Sequence, residues 1–201
     1  FELINILLQF CVYVEMRFKH ALACWRPVEY NPQVQPVLTT PGHGAFPSGH
    51  STQAHAVAYV LGILLKLDKA KHKFLLDQFE RQAARIATNR VVAGVHFPVD
   101  SMAGRMLGVA LGEYFCARCD GTQKSKSRTF NSSYVDGKPA LDFNPFDTEQ
   151  QLTPPASTAS PPPVTLYTSS PNNDPIGSPL MQHVWQKAVD EWKDHFGHQT
   201  P

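Results

Sequence analysis

Apolar residues along the first 117 positions recur at helical rather than strand spacing. Ala54, Val57, Ala58, Leu61, Leu64 and Leu65 fall at i, i+3, i+4 and i+7, the mark of a helix with one buried face. No alternation of period two persists anywhere in this region. The pattern predicts four helices, from about Glu2 to Cys24, Ser48 to Leu67, Lys71 to Val92 and Ser101 to Cys116. A Pro- and Gly-rich loop is expected through Asn31 to Phe46. The expected fold class is all-α, a helical bundle. Gly104, Gly108 and Gly112 recur every four residues and predict a face where two helices approach closely.

The character changes after Asp120. Residues 151–180 are dominated by Pro, Ser, Thr and Asn and cannot bury a core of their own, so 120–178 reads as a linker, a surface wrap or disordered chain. The short basic run Lys124 to Arg128 reads as solvated. Ordered chain is expected to resume over 179–197, where Leu180, Val184, Trp185, Ala188, Val189, Trp192 and Phe196 line one side of a helix. That face needs a partner, either the bundle itself or a second subunit in a homo-oligomer. The helical domain proper is then 1–119. The chain starts at Phe1 rather than Met and reads as a fragment or processed product, so upstream helices could complete the bundle.

Composition narrows the classes. The formal net charge of +1 gives no global signal for nucleic acid or an acidic membrane surface. A membrane-spanning helix needs ~20 mainly apolar residues. Leu3 to Val14 is short, interrupted by Asn5 and Gln9, and followed by Glu15, Arg17 and Lys19. No membrane span is expected, and the reading is a soluble bundle of unknown location, with periplasm and secretion as the candidates. Of the four cysteines, Cys116 and Cys119 form a C-x-x-C that no second pair or adjacent His completes into a zinc site. They read as plain thiols, with a disulfide as the lesser alternative.

The chemistry is concentrated in three clusters in fixed order: Lys19-x6-Arg26-Pro27, Pro47-Ser48-Gly49-His50, and Arg90-x5-His96-x3-Asp100. A tetrahedral oxyanion taken partly out of water needs donors that stay charged or are already aimed. Arg26 and Arg90 offer planar forks, and Lys19 a compact charge. Ser48 adds a hydroxyl. Gly49, lacking a Cβ, lets its backbone N–H come close at a helix N-terminus, where free N–H groups favour an anion. The spacing of His96 and Asp100 lets the carboxylate hold one ring nitrogen as N–H and leave the other lone pair for the ion, as nucleophile or metal ligand. His50, at the helix start, is the candidate acid/base. A lone histidine in such surroundings is more often structural; the ordered set of three clusters carries the inference.

Taken together, these motifs resemble the superfamily of type 2 phosphatidic acid phosphatases, bacterial acid phosphatases and vanadium-dependent haloperoxidases, over residues 3 to 117. The departure is Asn89, where the shared pattern has Ser. The resemblance implies that Lys19, Arg26, Ser48, Gly49 and Arg90 hold equatorial oxygens, that His50 moves a proton, and that His96 either coordinates vanadate or attacks phosphorus. The stretch Thr40 to Gln53 is similar to the bacterial-type haloperoxidase version, with His43 on the position that lies beside vanadate in bromide-oxidising members; its alternative is a loop histidine. The expectation drawn is a vanadate-dependent haloperoxidase that oxidises bromide with hydrogen peroxide and halogenates a small organic acceptor, with vanadate as cofactor and phosphate able to occupy the same site. The alternative is a soluble acid phosphatase working through a phosphohistidine. A non-catalytic binding role requires a blocked or incomplete site.

Overall fold

The computed structural model describes residues 1–121, 123–135, 141–153, 164–173 and 176–196. Five long helices carry the fold: α1 (Glu2–Leu22), then after the single turn α2 (Pro27–Tyr30), α3 (Gly49–Leu64), α4 (Lys73–Val92), α5 (Pro98–Asp120) and α6 (Pro179–Phe196). The all-α expectation holds for the bundle. Among the described residues no helix is long and apolar enough to cross a membrane.

Helix ends differ from the sequence expectation where local chemistry overrides periodicity. α1 stops at Leu22 because Ala23 turns left-handed, with φ 45°, and closes its N–H onto Lys19 O. α5 begins at Pro98, three residues before the expected Ser101. Proline suits the first helical position because it has no N–H to satisfy, and Asp100 Oδ2 accepts the Phe97 N–H at 2.9 Å. Asp100 therefore lies in the first turn of α5. α4 starts at Lys73, two residues later than expected, because Asp68 Oδ1 draws the N–H groups of Ala70 and Lys71 into a turn.

At the centre α3 lies against α5, and the glycine stripe sets their distance. A Cβ at Gly104 would meet Ser48 O at 2.6 Å, and one at Gly108 would meet Thr52 O at 2.2 Å. At Gly112 the neighbour is the softer ring of Tyr59. The backbones touch where only hydrogen fits. Between α3, α4 and α5 a polar seam is buried: Arg105 Nε donates to Glu80 Oε1 at 2.6 Å, its Nη1 donates to Gln150 O at 2.8 Å, and the buried His55 ring lies 3.9 Å from Glu80. His55 therefore has a packing place in α3, outside the three clusters.

The main apolar cluster joins Leu3, Leu7 and Cys11 of α1, Ala56 and Val60 of α3, Leu111, Phe115, Cys116 and Cys119 of α5, and Val184 of α6. The amphipathic C-terminal helix thus docks on the bundle itself, with Met181, Trp185 and Ala188 partly buried beside Val184. The side chain of Phe196 lies outside the described residues. All four cysteines are free thiols.

The region after Asp120, expected as a linker or wrap, adds a two-stranded antiparallel sheet, β1 (Ser125–Phe130) and β2 (Tyr167–Asn173), with an irregularity between Lys126 and Arg128. No strand was predicted here. The two partners are far apart in sequence, and β1 carries few apolar residues, so neither shows a strand signal alone. Phe143, Leu166 and Tyr167 bury against Ala87 and Met102 in a second core cluster. Arg128, read as part of a solvated basic run, makes a two-pronged contact with Glu113 at 2.7 Å on each prong. Residues 154–163 of the Pro/Ser/Thr-rich stretch lie outside the described residues.

Gly108→Ala drives a methyl group into a backbone carbonyl and is expected to destabilise the fold by ~1–3 kcal/mol or more. Gly42→Ala, whose Cβ would meet nothing within 4 Å, is expected to leave the thermal midpoint nearly unchanged. Thermal unfolding of both variants checks the pair; equal midpoints would refute the close-contact account.

Candidate active site

The three sequence clusters converge at one end of the α3 and α5 pair. α1 brings Lys19 to its last turn, and Arg26 stands at the entry to α2. Ser48 caps α3 and accepts the Ser51 N–H at 3.4 Å through its Oγ, leaving Gly49 and His50 in the first turn. α4 ends with Arg90, and the tight connection through Gly94, at φ 72°, returns the chain to His96 and α5. The Ser48 N–H donates to Asp100 O at 2.9 Å, which ties the second cluster directly to the third.

His96 is 5% exposed and Asp100 3%. Its Nδ1 lies 3.0 Å from Asp100 Oδ2, the same oxygen that accepts the Phe97 N–H. An ionised carboxylate can only accept, so Nδ1 carries the proton and Nε2 presents its lone pair. Nε2 faces Arg26 Nη1 at 3.3 Å. Burial pushes the His96 pKa down, opposed by its contact with Asp100 and reinforced by Arg26 and Lys19. The ring is thereby kept neutral, as a nucleophile or ligand requires.

The cations hold the loop as well as the site. Arg26, 2% exposed, donates from Nη1 to Val95 O at 2.7 Å, from Nε and Nη2 to His43 O, and from Nη2 to Gly44 O. Lys19, also 2% exposed, donates to the carbonyls of Gly44, Ala45 and Pro47 at 3.2, 3.1 and 2.6 Å. Burial, then the Arg26 charge, lower its pKa to about 8. Lys19 thus spends all three N–H groups on carbonyls, where the sequence reading placed it on an oxyanion. Arg90 behaves differently. Its Nε is buried with no hydrogen-bond partner, a donor still open to an acceptor.

His50 is exposed at the edge of the cluster. Desolvation lowers its pKa first, followed by the charges of Arg90, His96 and Lys19, so the ring stands within electrostatic reach of all three. His43 lies on the loop with Nδ1 3.3 Å from Arg26 Nη2 and 3.2 Å from Gly44 O. Lys19, Arg26, His43, Ser48, Gly49, His50, Arg90, His96 and Asp100 therefore share this neighbourhood. Among the described residues no group of three or more His, Cys, Asp or Glu could hold a metal ion by itself.

Two further residues belong to the site. Glu29 Oε2 accepts the Arg26 backbone N–H and fixes the start of α2. Glu15, 5% exposed, lies one helical turn before Lys19 and receives Gln53 Nε2 on its Oε1 at 3.1 Å. The sequence signal for Glu15 was its i, i+4 spacing to Lys19. Its charge had counted only against a membrane span.

Comparison with known proteins follows the same residues. No curated protein matches the chain. Among solved structures it is similar to the first transmembrane PAP2 type phosphatidylglycerolphosphate phosphatase from Bacillus subtilis, at 27% identity over 55% of this chain and 54% of that one, with a TM-score of 0.46. The chain spans about half the length of that protein. The PAP2 superfamily profile matches residues 3–123, a span that contains all three clusters and the helices α1 to α5 that assemble them. This match reaches the superfamily and does not extend to its haloperoxidase branch. With its motifs in order and its site assembled by the matched helices, the chain belongs to the PAP2 superfamily.

Proposed function

We propose that the protein hydrolyses phosphate monoesters through a phosphohistidine on His96. The observation that carries the reading is the buried His96–Asp100 pair, which leaves Nε2 as a lone pair beside Arg26. Membership of the PAP2 superfamily supports it, and so does what lies next to His50. A cavity of about 320 Å³ runs from His50 between α1, α3 and α4, walled by Leu8, Ala54, Val57, Leu61, Phe79 and Ile86. It offers an apolar alcohol a place on the side where its oxygen would be protonated.

In the first step His96 Nε2 attacks phosphorus, and the ester oxygen leaves with a proton from His50. In the second, His50 takes a proton from water as the water oxygen attacks the phosphohistidine, which releases phosphate and restores His96. Arg26, Arg90 and the N-terminal amides of α3 stabilise the charge on the transferring group. Lys19 contributes its field from behind the loop carbonyls.

Vanadate-dependent halide oxidation is the second reading, favoured by His43 against Arg26. The residues fit a tetrahedral vanadate, because the unpaired Arg90 Nε is a buried donor without an acceptor and His96 Nε2 an available ligand. Arg26, Ser48, Gly49, Arg90 and His96 would hold it, with Lys19 adding its charge from behind the loop carbonyls. Bound there, vanadate supplies a Lewis acid that activates hydrogen peroxide toward bromide.

For the phosphatase reading, His96→Ala is expected to abolish hydrolysis. His50→Ala is expected to lower kcat/KM, which reports the first step alone, by ~10²–10⁴ for alkyl phosphates, and by much less for 4-nitrophenyl phosphate, whose leaving group needs no proton. Equal losses on both substrates would remove His50 from the acid role. The acid form of His50 and the neutral form of His96 are needed together. Both free-enzyme pKa values lie below the ordinary histidine value, so kcat/KM is expected to fall as pH rises above about 6.5. A maximum above pH 8 would contradict this assignment. The second reading is checked by incubating the protein with orthovanadate and following bromination of a phenolic dye. Vanadate-dependent bromination that disappears in His43→Ala would establish it.

A further inference from the structure

Glu15 is expensive to keep where it is. The buried positions of α1 step down one stripe, Leu3, Leu7, Cys11, Glu15 and Lys19, so a carboxyl group stands where the pattern otherwise places apolar side chains. Its Oε1 has one donor, Gln53, and its Oε2 is buried with no hydrogen-bond partner. Lys19, one turn on, does not bond to it, since all three Lys19 N–H groups go to loop carbonyls. An ionised carboxylate left with a bare oxygen in a dry site is costly unless it serves something.

What it stands against is the start of α3. A Cβ on Gly49 would meet Glu15 Oε1 at 2.6 Å and Oε2 at 3.3 Å, so the carboxyl group lies on the Cα of the first residue of the helix whose N-terminus faces the cationic cluster. Negative charge at that place offsets the field that Lys19, Arg26 and Arg90 offer an entering oxyanion. The charged Glu15 and a bound dianion oppose one another, and a proton on Glu15 relieves both.

We propose that Glu15 couples anion binding to proton uptake, so that an oxyanion entering the site is accompanied by a proton moving from solvent onto the Glu15 carboxyl group. The role is that of a positioning residue that sets anion affinity and product release, and it rests on the oxyanion reading of the site given above. The proton balance is simple: one proton leaves the buffer, the carboxylate becomes a carboxylic acid, and no covalent bond to the anion forms. Burial already pushes the Glu15 pKa up, opposed by Gln53 and by Lys19. Of the titratable groups around it, Lys19 and Cys11 share its helix. α3 meets it with the neutral Gly49 and Gln53, and Asp100 of α5 acts on Lys19.

Sulfate is a suitable probe because it remains a dianion across the working range, so any proton taken up goes to the protein. Calorimetric titrations in two buffers of different ionisation enthalpy give the protons taken up per sulfate bound. His50 and His96 also accept protons when an anion arrives, so the difference between wild type and Glu15→Gln carries the test. Wild type is expected to take up close to one proton more than the variant at neutral pH. Glu15→Gln is expected to bind sulfate about tenfold more tightly there, with the advantage fading toward acid pH as Glu15 becomes neutral by itself. Gln53→Met provides a second test that keeps Glu15. Losing the N–H on Oε1 favours the acid form, so the window of proton uptake shifts to higher pH. Equal proton uptake and equal affinity in wild type and Glu15→Gln, or an unmoved window in Gln53→Met, would overturn the coupling while leaving the oxyanion site intact. Failure of the wild type to bind sulfate or phosphate at all would overturn the oxyanion reading and the role of Glu15 with it.

Discussion

The site exists because two helix backbones touch. Where Gly104 and Gly108 of α5 meet the carbonyls of Ser48 and Thr52, there is room for hydrogen and nothing larger. That contact brings the first turn of α5 under the first turn of α3, close enough for the Ser48 N–H to reach the Asp100 carbonyl. The Asp100 carboxylate then orients His96, and the N-terminus of α3 faces the same space. A separation of even 1 Å would part His96 from the N-terminus of α3, and positioning errors of that size are costly wherever two groups must act on one ligand.

The electrostatics follow from how dry this place is. Lys19, Arg26, His96 and Asp100 are all nearly inaccessible, and like charges gathered there repel one another unless they find acceptors. The loop after Asn31 supplies them as carbonyls: Gly44, Ala45 and Pro47 for Lys19, and His43 with Gly44 for Arg26. Loop placement and charge compensation are one arrangement. Lys19, His50 and His96 all have depressed pKa values, from desolvation first and from neighbouring positive charge second.

Much of this was legible in the residues. The order of the three clusters located Lys19, Arg26, Arg90, His50 and His96, the resemblance over Thr40 to Gln53 added His43, and the four-residue glycine repeat located the helix contact that assembles them. The amphipathic stripe of α6 was visible too, although not which surface would receive it. Three kinds of information were hidden. Helix ends depended on single-residue chemistry at Ala23, Pro98 and Asp68. The pairing of β1 with β2 joins segments with no strong pattern of their own, so only tertiary context makes them strands. Glu15 carried a readable spacing to Lys19, but nothing in the sequence said that its carboxyl group would lie on Gly49 rather than in water. Partner choice among polar side chains is a three-dimensional fact.

The distribution of thiols has a practical side. Cys11, Cys116 and Cys119 are sealed beneath α6 in the main apolar cluster, and burial pushes each pKa up, so they stay protonated and unreactive. Cys24 alone is partly open, in the turn between Lys19 and Arg26. A single addressable thiol is therefore left at the rim of the cationic cluster. A fluorophore or spin label placed there would watch the loop and the cationic cluster without a single background cysteine having to be removed.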